Sequence, residues 1–287
     1  MGLTIKELIP IGEKILANAS VENHKNNAEI LLGFVISFDR QKIFMNWTYE
    51  VDDPHCESYF DLINRRAAGE PLQYITNEQY FFGHRLNVNP SVLIPRPETE
   101  LLAEKAILFL QTREKAKMAL DLCTGSGALA ISIAKACPRI KITASDISEP
   151  ALSVAMKNAY ALGVSDRIDF VNSYLFESIK PKTLNKKFDL IVTNPPYIKT
   201  GDLENLQIEI RDHEPMPALD GGEDGLAFYR RIAAKTMVYM RPGASLMAEI
   251  GHDQANDVTA IFEGAGLKKI EVFEDLSGLD RIVSATA

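Results

Sequence analysis

From residue 118 onward, short apolar runs alternate with longer stretches in which apolar residues recur every three or four positions. The runs Met118–Cys123, Ile140–Ser145, Ile168–Val171, Phe188–Thr193 and Ala244–Ile250 have the length and β-branched content of buried strands. The intervening stretches predict helices over Ala128–Ala136, Pro150–Leu162, Leu226–Met240 and Gln254–Ala265, the second closed by Gly163. Strand and helix in alternation, with strands apolar on both faces, imply an α/β fold with a doubly wound, mostly parallel sheet. Two further strands, Lys269–Phe273 and Arg281–Ala285, are joined by too few residues for a helix, so they are expected to pair antiparallel.

The pattern before residue 70 is helical throughout. Thr4 can cap a helix whose apolar stripe is Ile5, Leu8, Ile9, Ile15 and Leu16, and Pro10 and Gly12 inside it are expected to kink or divide it. A second helix runs through Asn27–Val35. A third starts at Asp53-Pro54 and ends at Gly69. Residues 80–88 predict two short strands turning at Gly83-His84, and Pro95 and Pro97 keep the next segment extended. The expected organisation is a helical domain over 1–70, a linker with a β-hairpin over 71–97, and an α/β domain over 98–287.

Composition narrows the function classes. The 287 residues carry a net charge of -8, with 46% hydrophobic and 24% charged residues. That balance argues against affinity gained by coating phosphates, so no direct sequence-specific nucleic-acid binding is expected. Cys56, Cys123 and Cys137 have neither paired nor metal-ligand spacing, and His24 and His55 lack a partner at ligand spacing. A reducing, cytoplasmic setting and no metal are therefore expected. No signal peptide and no membrane span are expected either.

Two motifs carry chemistry. Thr124-Gly125-Ser126-Gly127 follows the first α/β strand and opens a helix, where a ligand can approach the backbone closely. Asp146, about 20 residues on at the end of the next strand, can accept hydrogen bonds from a ribose diol. The pattern Gly125-Ser126-Gly127-Ala128-Leu129-Ala130 suits either a dinucleotide or S-adenosylmethionine. Asn194-Pro195-Pro196-Tyr197 ends the fourth strand. Two prolines cannot donate to a sheet ladder and leave carbonyls unpartnered, Asn194 adds a side-chain acceptor, and Tyr197 adds a flat ring. These groups suit a planar NH2-bearing substrate and not hydride chemistry, which favours S-adenosylmethionine. Asp121 can face the cationic aminoacyl end of that cofactor or cap the neighbouring loop.

With these motifs the chain resembles the protein-(glutamine-N5) methyltransferases of the PrmC/HemK family, which modify peptide chain release factors. The resemblance spans nearly the whole chain. It rests on Asn27–Leu32, Gly69–Ile75, Val92–Leu101, Asp121–Gly127, Asn194–Ile198, His213–Pro215, Ala218–Gly222 with Asp224–Leu226, Glu249–Gly251 with Gln254, and Asp280-Arg281. It implies a seven-stranded, Rossmann-like methyltransferase domain and an N-terminal helical domain that contacts class I release factors. It implies S-adenosylmethionine as cofactor, S-adenosylhomocysteine as product, and methylation of the glutamine in a Gly-Gly-Gln motif. Asp121, Thr124, Gly125, Ser126, Gly127, Asp146, Ile147, Ser173, Tyr174 and Asn194 then fall at cofactor positions. Asn194, Pro195, Pro196, Tyr197, Arg96 and Glu98 fall at substrate positions, with Asn194, Pro195 and Tyr197 catalytic.

Two positions depart from the family pattern. Asn77 replaces a usual turn glycine, which asparagine's tolerance of left-handed backbone angles accommodates. Tyr174 stands where an aspartate commonly accepts from the adenine amino group, so stacking and backbone contacts beside Leu175 and Phe176 are expected there instead. The competing enzyme reading is an adenine-N6 methyltransferase acting on nucleic acid, because an exocyclic amine suits the same acceptors. A non-catalytic adaptor would not need both motifs intact.

Overall fold

A computed structural model describes residues 2–180 and 187–287. The chain forms two compact units, one of residues 2–78 and 207–213 and one of residues 79–206 and 214–287. The first unit therefore extends past residue 70 and takes in a later segment, and most of the expected linker belongs to the second.

In the first unit, a short antiparallel pair, β1 (Leu3–Thr4) and β2 (Glu50–Val51), joins helices α1 (Ile5–Asn18), α2 (His24–Ile36), α3 (Arg40–Met45), α4 (Asp53–Ala67) and α5 (Leu72–Thr76). Helix α1 is continuous, with Pro10 inside it. The Glu7 carboxylate accepts from both the Thr4 backbone N–H (2.9 Å) and the Thr4 hydroxyl (2.7 Å) at its start. Asp52, not Asp53, caps α4, accepting from the His55 backbone N–H at 3.0 Å. Apolar faces of these helices meet at Ile5, Leu8, Leu31, Leu32, Tyr59 and Ile63. Gly12 is there for close approach, since a Cβ would meet the Tyr59 hydroxyl at 2.0 Å. Buried Arg66 donates to Asn27 Oδ1 (2.8 Å), to the Glu70 carbonyl (3.1 Å) and to the Glu209 carboxylate, which ties the 207–213 segment to the helices.

Glu78, the last residue of the first unit's main segment, opens the hairpin of β3 (Glu78–Phe81) and β4 (His84–Asn87), the rest of which belongs to the second unit. Its turn sits at Phe82-Gly83, one residue earlier than expected, with both residues at positive φ (49° and 74°) as a two-residue hairpin turn requires. Helix α6 (Thr99–Gln111) leads into the sheet formed by β5 (Met118–Leu122), β6 (Lys141–Asp146), β7 (Ile168–Asn172), β8 (Phe188–Thr193), β9 (Met240–Glu249), β10 (Lys268–Glu274) and β11 (Asp280–Thr286). Helices α7 (Ala128–Ala136), α8 (Glu149–Ala161), α9 (Ile208–Arg211), α10 (Ala227–Tyr239) and α11 (Ala255–Gly264) complete the order, α9 belonging to the first unit.

The seven strands lie in the order β10-β11-β9-β8-β5-β6-β7. All neighbours are parallel except the pairs made by β11, so the expected antiparallel end pair is present. Each face carries its own core: Ile131, Ile142, Leu190 and Leu102 on one side, and Leu120, Ile191, Tyr229 and Phe262 on the other. Chain order reverses between β5 and β8, so the connections leaving their carboxyl ends diverge.

Gly12→Ala should destabilise the helical unit by about 1–3 kcal/mol through overpacking against Tyr59. Fluorescence of the single tryptophan, Trp47, during urea titration reads this unit. An unchanged or higher midpoint would mean that Tyr59 moves aside without cost.

Candidate active site

At the point of reversal, β5 and β8 pair from Ala119↔Leu190 to Leu122↔Thr193. The Thr193 hydroxyl donates to the Leu122 carbonyl at 3.0 Å, locking the two strand ends together. The glycine loop leaves one end and Asn194-Pro195-Pro196-Tyr197 leaves the other. Between them opens a cavity of about 360 Å³, within the usual size of a small-molecule site. Thr124, Gly125, Ser126, Asp146, Ile147, Ser173, Tyr174, Asn194 and Pro196 all line it, along with Arg96.

The glycine loop is held by acids on either side. Asp121 Oδ2 accepts from the Thr124 hydroxyl (2.6 Å) and the Ala130 N–H (3.2 Å), while Oδ1 is buried with no hydrogen-bond partner among the described residues. Asp146 Oδ2 accepts from the Gly125 N–H (2.9 Å) and Oδ1 from the Ser148 N–H (2.9 Å). Each Asp146 oxygen keeps a lone pair for a ligand. Asn158 of α8 donates to the Ser126 carbonyl (2.9 Å) and the Asn87 carbonyl (3.0 Å), joining the loop to the hairpin. Gly125 has φ +54°, and a Cβ there would meet nothing within 4 Å. At Gly127, φ +84°, a Cβ would meet the Ala155 side chain at 3.1 Å, so the glycine serves the packing of α7 on α8.

Asn194 stands half-buried at the end of β8, and its Nδ2 donates to Thr99 Oγ1 at 3.2 Å. That bond leaves the Asn194 side-chain oxygen to accept from a ligand. Pro195 and half-buried Tyr197 lie outside the cavity lining, and the Tyr197 ring packs on the second core cluster. The tetrapeptide's exit is clamped by Gln254, whose Nε2 donates to the Tyr197 carbonyl at 2.9 Å. Gly221 and Gly225 fit beneath it: a Cβ at Gly221 would meet Tyr197 Cα at 2.7 Å, and one at Gly225 the Tyr197 carbonyl at 2.5 Å.

The residues singled out from sequence therefore separate. Asp121 and Gly127 do not line the cavity and act on the loop that does. Ser173 lines it, but its hydroxyl serves its own turn, donating to the Leu175 carbonyl at 2.8 Å and accepting from the Ser178 N–H. Tyr174 packs edge-on against Phe228, with Arg231 over its ring at 5.4 Å. Leu175 lines the cavity, whereas Phe176 turns into the core and stacks on Tyr239 at 4.4 Å. Arg96 pairs with the buried Glu214, which also accepts from the Ile94 N–H at 3.2 Å, and Glu98 is exposed outside the lining. Sequence reasoning missed Thr99, Phe228 and the wall formed by Ser91–Leu93. A threonine directly after Pro-Glu at a helix start was the available signal for the first.

The family model described as the PrmC N-terminal domain matches residues 7–76, and that of the Methyltransferase small domain matches residues 99–210. A release factor glutamine methyltransferase of Clostridium acetobutylicum is 38% identical over 283 residues, spanning 99% of this chain and 98% of its own. One from Bordetella pertussis is 40% identical over 255 residues, spanning 89% of this chain and 92% of its own. Among solved structures, a methyltransferase from Pyrococcus furiosus shares the fold with a TM-score of 0.51 and 17% identity, over 71% of this chain and 89% of that chain.

Two buried acids flank the site. Burial raises Asp121 from its ordinary 3.8 to about 7 and Glu249 from 4.5 to about 7, against the pull of hydrogen bonds from Thr124 and Thr99 respectively. Each folded-state value lies above the unfolded one, so the stability these groups contribute is full below about pH 4 and is lost as the pH rises through about 7. Asp121→Asn should therefore reduce the fall in stability between pH 5 and 7.5. Urea midpoints of the wild type and variant at both pH values check this. Parallel shifts would assign the slope to other groups.

Proposed function

The chain belongs to the family of release factor glutamine methyltransferases, and from that premise we propose that it transfers a methyl group from S-adenosylmethionine to the side-chain amide nitrogen of the glutamine in the Gly-Gly-Gln motif of class I release factors. The observation that carries this reading is the polarity of Asn194. Its NH2 is tied to Thr99, so its oxygen is presented where β8 ends, next to the glycine loop. An NH2-bearing substrate needs that acceptor.

The cavity suits the cofactor. Gly125 gives an open approach to the loop backbone, and the two Asp146 oxygens can take a ribose diol. Ile147, Leu175 and Phe228 supply apolar surface for a flat base, with Tyr174 beside them. Asp121 shapes the loop for the aminoacyl end through Thr124 and Ala130. When bound, S-adenosylmethionine supplies a methyl carbon activated by its sulfonium.

The chain's own residues do the rest. An amide nitrogen is a weak nucleophile because its lone pair is shared with the carbonyl. Asn194 Oδ1 and the Pro195 carbonyl accept the two amide hydrogens, which fixes the nitrogen's direction and favours its pyramidalisation. Tyr197 stacks on the amide plane and excludes water. Catalysis rests on positioning and on these preorganised dipoles, and no strong base is assigned. Methylation makes the nitrogen acidic, and its proton then passes to water.

A glutamine tip alone buries too little surface for a specific protein complex. The helical domain, residues 1–70 as first bounded, is assigned the second contact, and Arg96 and Glu98 the orientation of the substrate loop. No helix among the described residues is long and apolar enough to cross a membrane. Release factors work in the cytoplasm, where we place this activity as well.

Labelled methyl transfer to purified release factor, with the modified residue located by mass spectrometry, tests the assignment. Modification of adenine in nucleic acid in place of the factor would overturn it. Asn194→Ala should keep its cofactor affinity and lose about a hundredfold or more in turnover; near-normal turnover would remove Asn194 from the mechanism. Asp146→Ala should weaken S-adenosylmethionine by about 1.5–3 kcal/mol, as expected for hydrogen bonds to a charged group. Calorimetry measures this directly, and an unchanged affinity would place the ribose elsewhere.

A further inference from the structure

The cavity crosses the carboxyl ends of four neighbouring strands. Asn194 lines it at the end of β8, Cys123 at β5, Asp146 at β6 and Tyr174 beyond β7. Adjacent strands lie about 4.8 Å apart, so these positions are successive steps along its floor. The methyl carbon has to meet the substrate beside Asn194, and Asp146 takes the ribose. The base then continues away from Asn194, to the end of β7, which is the edge strand of the sheet.

A 6-amino group is a donor, and a site reads it by offering an acceptor. Those at this end are already engaged. The Asp146 carbonyl accepts from the Ser173 N–H at 2.9 Å, and the Ile147 carbonyl from the Asn172 side chain at 2.8 Å. The Tyr174 carbonyl accepts from the Glu177 N–H at 3.1 Å, and the Leu175 carbonyl from the Ser173 hydroxyl at 2.8 Å. The Ser148 hydroxyl caps α8, accepting from the Ala151 N–H at 3.2 Å. Two acids line the cavity, and neither serves this end. Asp146 braces Gly125 and Ser148, while Asp220, bridged to Ile198 just past the tetrapeptide, accepts from the Thr200 hydroxyl (2.7 Å) and the Gly222 N–H (2.9 Å). Among the described residues no carboxylate lines the cavity at the end of β7.

The end of β7 offers flat surface under a positive charge instead. Phe228, in the first turn of α10, meets the Tyr174 ring edge-on with centroids 6.3 Å apart. The Arg231 guanidinium lies over the same ring at 5.4 Å, within reach of a cation–π contact. A cation nearby disfavours the positive edge of an amino group. The Tyr174 hydroxyl both donates and accepts, so it can meet either kind of group, where a carboxylate could only accept.

We propose that Tyr174 is a specificity-determining residue of the cofactor site, and that the site selects its cofactor by the ribose and by the face of the base. The 6-amino group is not read, and sulfonium cofactors altered at purine C6 are accepted alongside S-adenosylmethionine. This rests on the reading of Asp146 as the ribose acceptor.

The test is calorimetric and needs no methyl acceptor, so a wrong protein substrate cannot affect it. The full-length protein is titrated with S-adenosylhomocysteine and with its analogue carrying hydrogen in place of the 6-amino group. The two Kd values should agree within fivefold, because a hydrogen bond to a carboxylate is typically worth about tenfold or more. A wider ratio overturns the proposal, since some acceptor would then be reading the amino group. Tyr174→Asp supplies such an acceptor and should open the ratio to about tenfold or more in favour of the parent. An unchanged ratio in that variant would place the base away from Tyr174 and overturn the assignment as well. If Tyr174→Asp fails to fold, the wild-type ratio decides alone.

Discussion

β5 and β8 pair in parallel, and the chain departs from their ends in opposite directions. Diverging connections leave a crevice above the sheet, and both motifs enter it from its two sides. Because Leu122 and Thr193 are register partners, the glycine loop and Asn194 are neighbours whatever their separation in sequence. Moving this register by a single residue would reverse which side chains face each core.

Around that crevice the polar groups are used twice. Asp146 braces the glycine loop through Gly125 and Ser148 and still has lone pairs to spare. Asn158 holds the loop and the hairpin together. Asp121 and Glu249 each bury one oxygen that has no hydrogen-bond partner among the described residues. Two non-glycine residues at the cavity, Cys123 and Leu175, have positive φ (60° and 48°). Unpaired buried acids and left-handed backbone are both unfavourable, and their concentration at one place is characteristic of a functional site.

The segment before α6 has a different role from the one its charges suggest. Arg96 pairs with buried Glu214, Glu100 accepts from the Phe82 N–H at 2.7 Å, and Gln79 donates to the Pro95 carbonyl at 2.8 Å. The segment is thereby fastened to the hairpin and to the loop containing Glu214, within the second unit. Only Glu98 among its three charged residues stays exposed. A partner would meet a surface already fixed, not a flexible linker.

Local pattern was sufficient for much of this protein. Apolar runs of strand length specify the seven strands. Pro195-Pro196 specifies where β8 must stop, and Gly125 and Gly127 specify where the backbone can take positive φ, because those constraints lie within a few bonds. The hairpin turn and the α4 cap shifted by one residue because neighbouring residues, Phe82 and Asp52, could do the same work. Tertiary structure alone decided the rest. Nothing near position 99 in the sequence connects Thr99 to Asn194, and nothing near position 249 connects Glu249 to Tyr197; each pair meets because α6 and β9 end beside the end of β8. Nor could spacing tell whether Asp121 faces a ligand or its own loop, or whether Phe176 joins Leu175 at the cavity. Hydrogen-bond partners and burial are set by which elements pack together, and that is a property of the folded sheet and not of any one segment.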